Sequence, residues 1–268
     1  MIFRGKIEMA DSLSTEAITR NLDARIIGRR VIYYPSLPST NELAKEEARR
    51  GAEEGAVVIA EEQTLGRGRL KRAWLSPKGS LALSVILYPG LEYLPFLIML
   101  ASLAVVRSIE AVTGLQARIK WPNDVLLNEK KVCGILVESE VRGEVVNYAV
   151  IGIGVNVNLR IPDFPELLPA ATSLSQEMGG EVSRLGLVRR LLVEMDRLYL
   201  VLPGGGAIYE AWRDSLATLG QEVCAASGEA EYAGIAESVA RDGSLLVRRP
   251  DSSLIRVVAG DVALRQRT

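Results

Sequence analysis

The chain has 268 residues, of which 48% are hydrophobic and 24% charged, and this composition predicts one large soluble domain and one small one. Its formal net charge of −1 provides no broadly basic surface of the kind that attracts nucleic acid. Histidine is absent from the sequence, which excludes Ser-His-Asp and Cys-His triads, HExxH metal sites and histidine-gated pH switches.

Cysteine usage and hydropathy indicate a cytoplasmic protein. Cys133 and Cys224 lie far apart and fit neither a disulfide framework nor a metal-binding knuckle, which suits a reducing compartment. We see no apolar segment of a signal peptide near the N-terminus. The most apolar run, residues 95–106, is too short to cross a membrane, so we expect no membrane association.

Cap and turn signals divide the first part of the chain into short elements. Ser39 and Glu42 fit a capping box that opens a helix over residues 41–50, and Gly51 ends it. The pattern also predicts a short capped helix after Ser14 and three strands, at residues 31–34, 56–61 and 80–87.

Apolar segments dominate the middle of the chain. Pro95 opens and Gly114 ends a helix that is apolar on nearly every face, so we expect it in the core. Four segments rich in Val and Ile predict strands at residues 118–120, 125–127, 132–140 and 144–157. Turns at residues 128–129 and 142–143 join strands as hairpins, which indicates a mixed or antiparallel sheet and an α+β fold.

The character of the sequence changes near residues 217–220. Helical periodicity covers residues 185–202 and 207–216, and a Pro-Gly-Gly-Gly break separates these two helices. Beyond Leu219, Gly and Asp turns separate short predicted strands at residues 222–225, 233–239, 244–248 and 255–259. We therefore expect a short N-terminal segment (1–30), a large α+β domain (31–218) and a small β-barrel (219–268).

The segment GRGRLKRAW, residues 66–74, lies between two predicted core strands. Its glycines allow a ligand to approach the backbone closely, and its arginines can grip a phosphate or carboxylate through paired N–H groups. This placement favours a lid that closes over an anion and ends on Trp74. The alternatives are a solvated basic loop and an RGG-like contact with nucleic acid.

Two further polar segments are candidates for ligand contacts. Ser39-Thr40-Asn41 opens a helix, where free N–H groups and hydroxyls can meet the polar atoms of a small molecule, although a plain helix cap explains the same residues. In KWPND, residues 120–124, the side chains of Asn123 and Asp124 either close a turn or bind a nucleotide or the Mg²⁺ that ATP carries.

Lys131 opens an otherwise apolar strand. Lysine rarely enters a sheet core, so Lys131 either faces water or points into a pocket, where it would stabilise an anion at an acyl or phosphoryl centre. Gly134 in the same strand permits close approach of a ligand. Gly152-Ile153-Gly154 is no dinucleotide fingerprint, because a third glycine and a helix do not follow it.

Taken in order, these motifs resemble those of biotin protein ligases. The resemblance covers residues 31–158 closely and rests on Ser39-Thr40-Asn41, Gln63, GRGRLKRAW, KWPND, KVCGILVE and GIGVNVN. The tail after Leu219 is similar to the small SH3-like C-terminal barrel of that family. The resemblance implies a catalytic domain of the class II aminoacyl-tRNA synthetase/biotin ligase type, with helices against one face of a mixed sheet.

The resemblance also implies residue roles. The positions implied to bind biotin are Ser39, Thr40, Asn41, Gln63, Arg67, Gly68, Arg69, Lys131 and Gly134. Those implied on the nucleotide side are Trp74, Asn123, Asp124 and Asn156. Among these residues Lys131, Arg67 and Arg69 are the expected catalytic groups, because attack of a carboxylate on an α-phosphate joins two anions and needs positive charge.

The implied reaction has two steps. Biotin and MgATP give biotinyl-5′-AMP and pyrophosphate, and the anhydride then acylates a lysine of a biotin carboxyl carrier protein. ATP and Mg²⁺ are expected as cosubstrates, with no prosthetic group and no metal cage built by the protein. The 30 residues before Val31 are too few for the winged helix-turn-helix of bifunctional members, so we expect no repressor activity and no sequence-specific DNA partner.

Two rival interpretations remain at this level. A lipoate or octanoate protein ligase would share the catalytic architecture, but the GRGR lid and the C-terminal barrel favour biotin. A nucleic-acid-binding module would use the arginine loop and the barrel, but the overall charge speaks against it. The apolar, extended sheet edge is compatible with a homodimer.

Overall fold

The computed structural model describes residues 12–227, 230–258 and 260–264. The beginning of the expected N-terminal segment, the end of the strand expected at 255–259 and the end of the expected barrel lie outside these residues. The described α-helices are α1 (Thr15–Thr19), α2 (Thr40–Arg49), α3 (Leu94–Thr113), α4 (Leu174–Met178), α5 (Arg184–Leu200) and α6 (Gly206–Asp214).

Seven strands form the sheet of the large domain, in the order β1-β2-β3-β7-β6-β5-β4. They are β1 (Val31–Tyr34), β2 (Val57–Ala60), β3 (Leu81–Leu87), β4 (Arg118–Lys120), β5 (Asp124–Leu127), β6 (Lys130–Arg142) and β7 (Val145–Val155). Strands β1 and β2 run parallel and the other neighbours antiparallel. The predicted mixed sheet and its hairpins are therefore confirmed, and positive φ angles at Asn128, Glu129 and Gly143 mark the two hairpin turns.

Helices cover both faces of this sheet, so the expectation of helices on one face is wrong. Because side chains alternate along a strand, Val57 and Ile59 face the main core with α3, whereas Val58 faces the opposite side. On that opposite side, α2 packs its Ala44 and Ala48 against β2, β3 and β7. The face covered by α2 is also the face that carries the candidate site.

Helix α3 is the central helix of the main core. Gly114 ends it with a φ of 73°, as predicted from the left-handed preference of glycine at this position. The helical segment Leu91–Thr113 is long enough and apolar enough to cross a membrane. The expectation that the apolar run in this region is too short to do so is therefore wrong. Most of this segment is buried, however, and α3 packs against α5, α6 and strands β4 to β7. The apolar surface of α3 is therefore part of the protein core.

Two side chains of α5, the buried Asp196 and the half-buried Arg189, hold the residues before β1 in place. The carboxylate of Asp196, 2% exposed, accepts hydrogen bonds from the backbone N–H groups of Arg25, Ile26 and Ile27 at 2.8–2.9 Å. Arg189 donates to backbone carbonyls at the end of α1, including that of Ile18 at 2.9 Å. These bonds satisfy buried backbone groups that no helix or strand would otherwise pair.

The C-terminal strands form a separate five-stranded antiparallel sheet in the order β11-β10-β9-β8-β12. They are β8 (Glu222–Ser227), β9 (Ala230–Val239), β10 (Leu245–Arg248), β11 (Leu254–Val257) and β12 (Asp261–Leu264). The last strand was not predicted, and closure of the sheet into an SH3-like barrel remains a prediction. The indole N–H of Trp121 donates to the Gly243 carbonyl at 2.7 Å, which joins the two domains.

Candidate active site

A single cavity on the α2 face of the large sheet brings the predicted site residues together. Helix α2, the segment 66–74 and strands β6 and β7 surround it, and every residue predicted to bind biotin or nucleotide lines it except Asn156. Asn156 is 3% exposed, and its side-chain amide donates to the Thr172 carbonyl at 3.0 Å. Its expected nucleotide contact therefore remains a prediction without support from its position.

The start of α2 is capped by Gln63 rather than by Ser39. Ser39 occupies the N-cap position but its side chain makes no capping hydrogen bond, so the predicted capping box is wrong. Gln63 Oε1 instead accepts from the backbone N–H of Thr40 at 2.8 Å and from the Thr40 hydroxyl at 3.0 Å. A free helix N–H thus finds its acceptor on a neighbouring loop, and this fixes Gln63 beside the cavity.

Four oxygen atoms in this region stand in a row. They are Asn41 Oδ1, Ser84 Oγ, Thr40 Oγ1 and Gln63 Oε1, joined by contacts of 2.6, 2.8 and 3.0 Å. Only the two hydroxyls have protons to donate, so the three contacts share two protons. The row therefore has a surplus of acceptors, and a ligand that supplies N–H donors matches it.

Glu138 is a site residue that the sequence analysis missed. Its carboxylate accepts from Asn41 Nδ2 at 2.9 Å and from Lys45 Nζ at 3.0 Å. Burial raises the pKa of Glu138, but the hydrogen bonds from Asn41 and Lys45 outweigh it, and the resulting pKa lies below the ordinary value. The signal that pointed to Lys131, a charge in an otherwise apolar strand, applies equally to Glu138 in KVCGILVE.

Glycines on β6 and β7 form the floor of the cavity. Gly134 and Gly154 are paired across the two strands, and Gly152 follows on the same face. A methyl group at Gly152 would lie 2.1 Å from Asn41 Oδ1, and one at Gly154 would lie 2.3 Å from Trp74 Nε1. Asn41 and Trp74 thus lie too close to these two positions for any side chain larger than hydrogen. This packing explains the Gly-Ile-Gly sequence, and no dinucleotide-binding role is needed for it.

Trp74 lies flat over this glycine floor. The backbone N–H of Trp74 donates to the Gly66 carbonyl at 2.9 Å, which fixes the point from which the side chain extends. A methyl group at Gly66 would lie 2.3 Å from the Trp74 carbonyl oxygen, so the first glycine of the motif serves close packing. The buried indole N–H of Trp74 has no acceptor among the residues that the structure describes.

The segment 66–74 is a short hairpin rather than an irregular loop. Arg67 pairs with Ala73 as a β-bridge, and a 3₁₀ turn over Arg69–Lys71 closes the tip. The positive φ angles fall on Leu70, at 53°, and Lys71, at 60°, and the glycines do not adopt them. Leu70 is 68% exposed despite being apolar, so the tip is a strained backbone turn that carries an exposed apolar side chain.

Two cations at the other end of the cavity are held by the turn between β4 and β5. Lys131 Nζ lies 2.6 Å from Asp124 Oδ1 and 5.3 Å from the centroid of the Trp74 ring. Lys131 therefore points into the cavity, and the alternative that it faces water at the strand end is excluded. Arg69 donates to Asn123 Oδ1 at 2.9 Å. The residues predicted to meet the nucleotide thus orient the two cations in this structure.

Two of the three arginines in the lid, Arg67 and Arg69, also reach beyond it. Arg69 Nη2 donates to the Gly260 carbonyl of the C-terminal sheet at 2.9 Å. Arg67, 61% exposed, lies 3.2 Å from Glu42 Oε1 in the first turn of α2. The lid therefore bridges the two domains and the helix that opens the site. Arg67 and Arg69 face a carboxylate, an amide and a carbonyl of this chain, which does not suit a free basic loop.

Neither a reactive thiol nor a cluster of metal ligands is found among the described residues of this region. Cys133 is fully buried, and burial raises the pKa of its thiol, which makes it a poor nucleophile. Within the described ranges no group of three or more Cys, Asp and Glu side chains is arranged to hold a metal ion. The chemistry that the cavity can perform is charge neutralisation next to a neutral binding surface.

Both domains of the chain are similar to known protein families. The sequence profile of the Biotin/lipoate A/B protein ligase family matches residues 33–156, and that of the Biotin protein ligase C terminal domain matches residues 218–265. The chain is 36% identical over 264 residues to the bifunctional ligase/repressor BirA of Bacillus subtilis, covering 96% of this chain and 81% of that protein.

Two further relatives match over nearly their whole length. A biotin–[acetyl-CoA-carboxylase] ligase of Mycobacterium tuberculosis is 31% identical over 267 residues, covering 94% of this chain and 97% of that protein. The structure of a biotin protein ligase from Aquifex aeolicus in complex with biotin and ATP superimposes with a TM-score of 0.70 at 29% identity, covering 89% of this chain and 100% of that one. On the profile matches, the sequence identities and the shared fold, this chain belongs to the biotin/lipoate A/B protein ligase family.

Proposed function

We propose that this chain is a biotin–[acetyl-CoA-carboxylase] ligase, which activates biotin with ATP to biotinyl-5′-AMP and transfers biotin to a lysine of a biotin carboxyl carrier protein. The observation that carries the proposal is a cavity with two chemically different ends. One end is a neutral, acceptor-rich surface at the start of α2, and the other end holds Arg69 and Lys131.

The neutral end fits the ureido ring of biotin. A cyclic urea offers two N–H donors and one carbonyl acceptor in a rigid plane. The row from Asn41 Oδ1 to Gln63 Oε1 is short of donated protons, so ligand N–H groups complete it. The glycine floor leaves Asn41 space against β7, which keeps this surface close to the cavity.

The cationic end fits the activation step. A carboxylate oxygen of biotin forms a bond to the α-phosphorus of ATP, and the bond to pyrophosphate breaks. This step transfers no proton, so the absence of histidine is no obstacle. Its difficulty is the approach of two anions, which Lys131 and Arg69 relieve by placing positive charge in the cavity.

The lid supports the second step by limiting water. The mixed anhydride must survive until a lysine amine attacks its carbonyl carbon and AMP leaves. Bridging of the lid to Glu42 and to Gly260 holds it over the cavity, and a covered site protects an anhydride from hydrolysis.

Pyrophosphate exchange tests the proposal against lipoate activation. Purified protein with labelled pyrophosphate, MgATP and either biotin or lipoate should give exchange with biotin alone. Exchange with lipoate alone would contradict the proposal, because it assigns the cavity to the other acid. Transfer to a lysine is then followed by mass increase of a carrier domain.

Three further properties belong to the same proposal. We infer a cytoplasmic enzyme, homodimer formation and no sequence-specific DNA binding. The lid arginines support the last point, because their hydrogen bonds direct them to Glu42 and Asn123 within the site. Salt-resistant binding to the promoter of its own operon would contradict it, and light scattering reports the mass of the assembly.

A further inference from the structure

We propose that Glu138 is a positioning residue for the reaction: its carboxylate sets the orientation of the Asn41 amide and, together with that of Glu42, attracts Arg67 of the lid. The inference rests on the proposed function, because its effect is read on biotin. It assigns a role to Glu138 and Lys45, which the sequence analysis did not place in the site.

The orientation of Asn41 depends on Glu138. An amide group can be rotated by half a turn with little change of shape, which exchanges its oxygen and nitrogen. Ser84 contacts this amide at 2.6 Å, but a hydroxyl can donate to the oxygen or accept from the nitrogen, so Ser84 alone does not decide between the two orientations. The carboxylate of Glu138 can only accept, and at 2.9 Å it selects Nδ2.

The selected orientation determines what the ligand meets. With Nδ2 on Glu138, the oxygen of Asn41 belongs to the acceptor row that ends at Gln63. With the amide reversed, an N–H donor would replace that oxygen, and Ser84 would have to accept. The surface would then lose the surplus of acceptors that matches ligand N–H groups.

Lys45 keeps Glu138 ionised. It lies one turn after Asn41 in α2, is 15% exposed, and reaches Glu42 at 2.8 Å and Glu138 at 3.0 Å. Burial lowers the pKa of Lys45, but the hydrogen bonds with both carboxylates outweigh it and the pKa is raised. A charged pair of this kind is favourable only when both members are present and hydrogen-bonded.

Arg67 completes the charge balance of this cluster. Glu42 Oε1 contacts both Lys45 and Arg67, at 2.8 and 3.2 Å. With the lid in place, two carboxylates face two cations. With Arg67 removed, Lys45 alone faces both carboxylates, so Glu138 and Glu42 together attract the lid towards α2. One cluster therefore links the recognition surface to closure of the lid.

The substitution Glu138→Gln tests this role with little change of shape. In the wild type Asn41 and Lys45 donate to different oxygens of the carboxylate. The single amide oxygen of glutamine can replace only one of them, and its amide nitrogen then faces the other donor. We expect the KM for biotin in pyrophosphate exchange to rise about tenfold to a hundredfold, as for a lost hydrogen bond to a charged group. The KM for ATP should stay near that of the wild type, and circular dichroism should show that the variant remains folded at the assay temperature.

Glu140 provides a matched control on the same strand and face. It accepts from the side-chain amide of Asn147 at 2.8 Å and pairs with Arg49 at 3.6 Å, and neither partner lines the cavity, whereas the Glu138 partner Asn41 does. Glu140→Gln should therefore leave the KM for biotin unchanged. An unchanged KM for biotin in Glu138→Gln, or an equal rise in both variants, would overturn the inference.

Lys45 provides the second test in case Glu138→Gln fails to fold. Lys45→Met should raise the KM for biotin severalfold, and Lys45→Arg should restore most of the affinity because it retains the charge and the donors. Equal KM values for biotin in Met, Arg and wild-type proteins would contradict the role. Wild-type protein that gives no exchange with biotin at all would instead contradict the proposed function.

Discussion

The two ends of the cavity are built in different ways. At the neutral end, Thr40, Asn41 and Ser84 are each at most 5% exposed and hydrogen-bond to one another or to Gln63 and Glu138. At the cationic end, Lys131 remains 33% exposed, and its partner Asp124 is the first residue of β5 after a turn. One end is fixed by the fold, and the other holds its charges through replaceable ion pairs.

The difference follows from what each end must do. A surface that recognises a ligand binds it more tightly when its side chains are fixed before binding, because no binding free energy is then lost in ordering them. Cations that meet a phosphate must exchange one anion for another, and partly exposed ion pairs are weak enough to allow it. Under the proposed function, we expect the phosphates of ATP to displace Asp124 and Asn123 from Lys131 and Arg69.

Loss of Lys131 should produce the largest effect, confined to the cationic end. Lys131→Ala should lower the rate of adenylate formation by about 10²–10³-fold, comparable to removal of one group that stabilises an oxyanion. Stopped-flow or single-turnover measurement of biotinyl-5′-AMP checks the rate. The fold should stay intact, because Lys131 pairs with Asp124 at the cavity rather than in the core.

Lys130 offers the matched control for this change. It precedes Lys131 in β6 and its side chain is exposed. Lys130→Ala should therefore leave the rate unchanged. Full activity of Lys131→Ala with normal affinity for biotin would remove Lys131 from the mechanism and make the two ends equivalent in importance.

The glycine floor allows each end to be disturbed separately. Gly152→Ala places a methyl group 2.1 Å from Asn41 Oδ1, whereas Gly154→Ala places one 2.3 Å from Trp74 Nε1. Overpacking of this kind costs about 1–3 kcal/mol, so affinities should fall about tenfold or more. We expect Gly152→Ala to raise mainly the KM for biotin and Gly154→Ala mainly the KM for ATP.

Gly180 supplies the control for both alanine variants. No atom lies within 4 Å of the position that its methyl group would occupy. Gly180→Ala should therefore behave as the wild type in both KM values. If Gly152→Ala and Gly154→Ala raised the two KM values in the same proportion, the ends would not be independent.

Much of the site was predictable because its motifs are local. The glycine–arginine segment, KWPND and Lys131 each carry unusual residues in a short stretch, and the structure brings them to one cavity. Strand and helix bounds followed from periodicity and from residues such as Pro95 and Gly114, which act on their immediate neighbours.

What escaped prediction depends on partners that are distant in sequence. Glu138 contacts Asn41 across 97 positions, and Gln63 replaces Ser39 as the cap of α2 from 23 positions beyond Thr40. The role of Gly154 needs both its pairing with Gly134 and the placement of Trp74 above them. Short-range patterns indicate strands that are joined by a hairpin, but not which distant strands pair, such as β3 with β7.

A smaller effect is expected from the holder of Arg69. Asn123→Ala removes the acceptor at 2.9 Å, but the Gly260 carbonyl remains as a partner of Arg69. The net value of one such hydrogen bond predicts about a two- to tenfold loss in kcat/KM for ATP. Asn147→Ala, on the hairpin outside the cavity, is the control. A loss as large as that of Lys131→Ala would show that Asn123 does more than hold Arg69.

The smallest expected effect concerns pH and the charged residue behind the neutral end. Because the pKa of Glu138 is lowered in the folded state, its ionised form contributes stability at pH values above the ordinary glutamate pKa of about 4.3. That contribution disappears as the pH falls through the lowered pKa. The difference in free energy of unfolding between wild type and Glu138→Gln should therefore shrink between neutral and strongly acid pH in urea titrations. A difference that grew on acidification would mean that burial, rather than Asn41 and Lys45, governs this carboxylate, and the neutral end would then not depend on its charge.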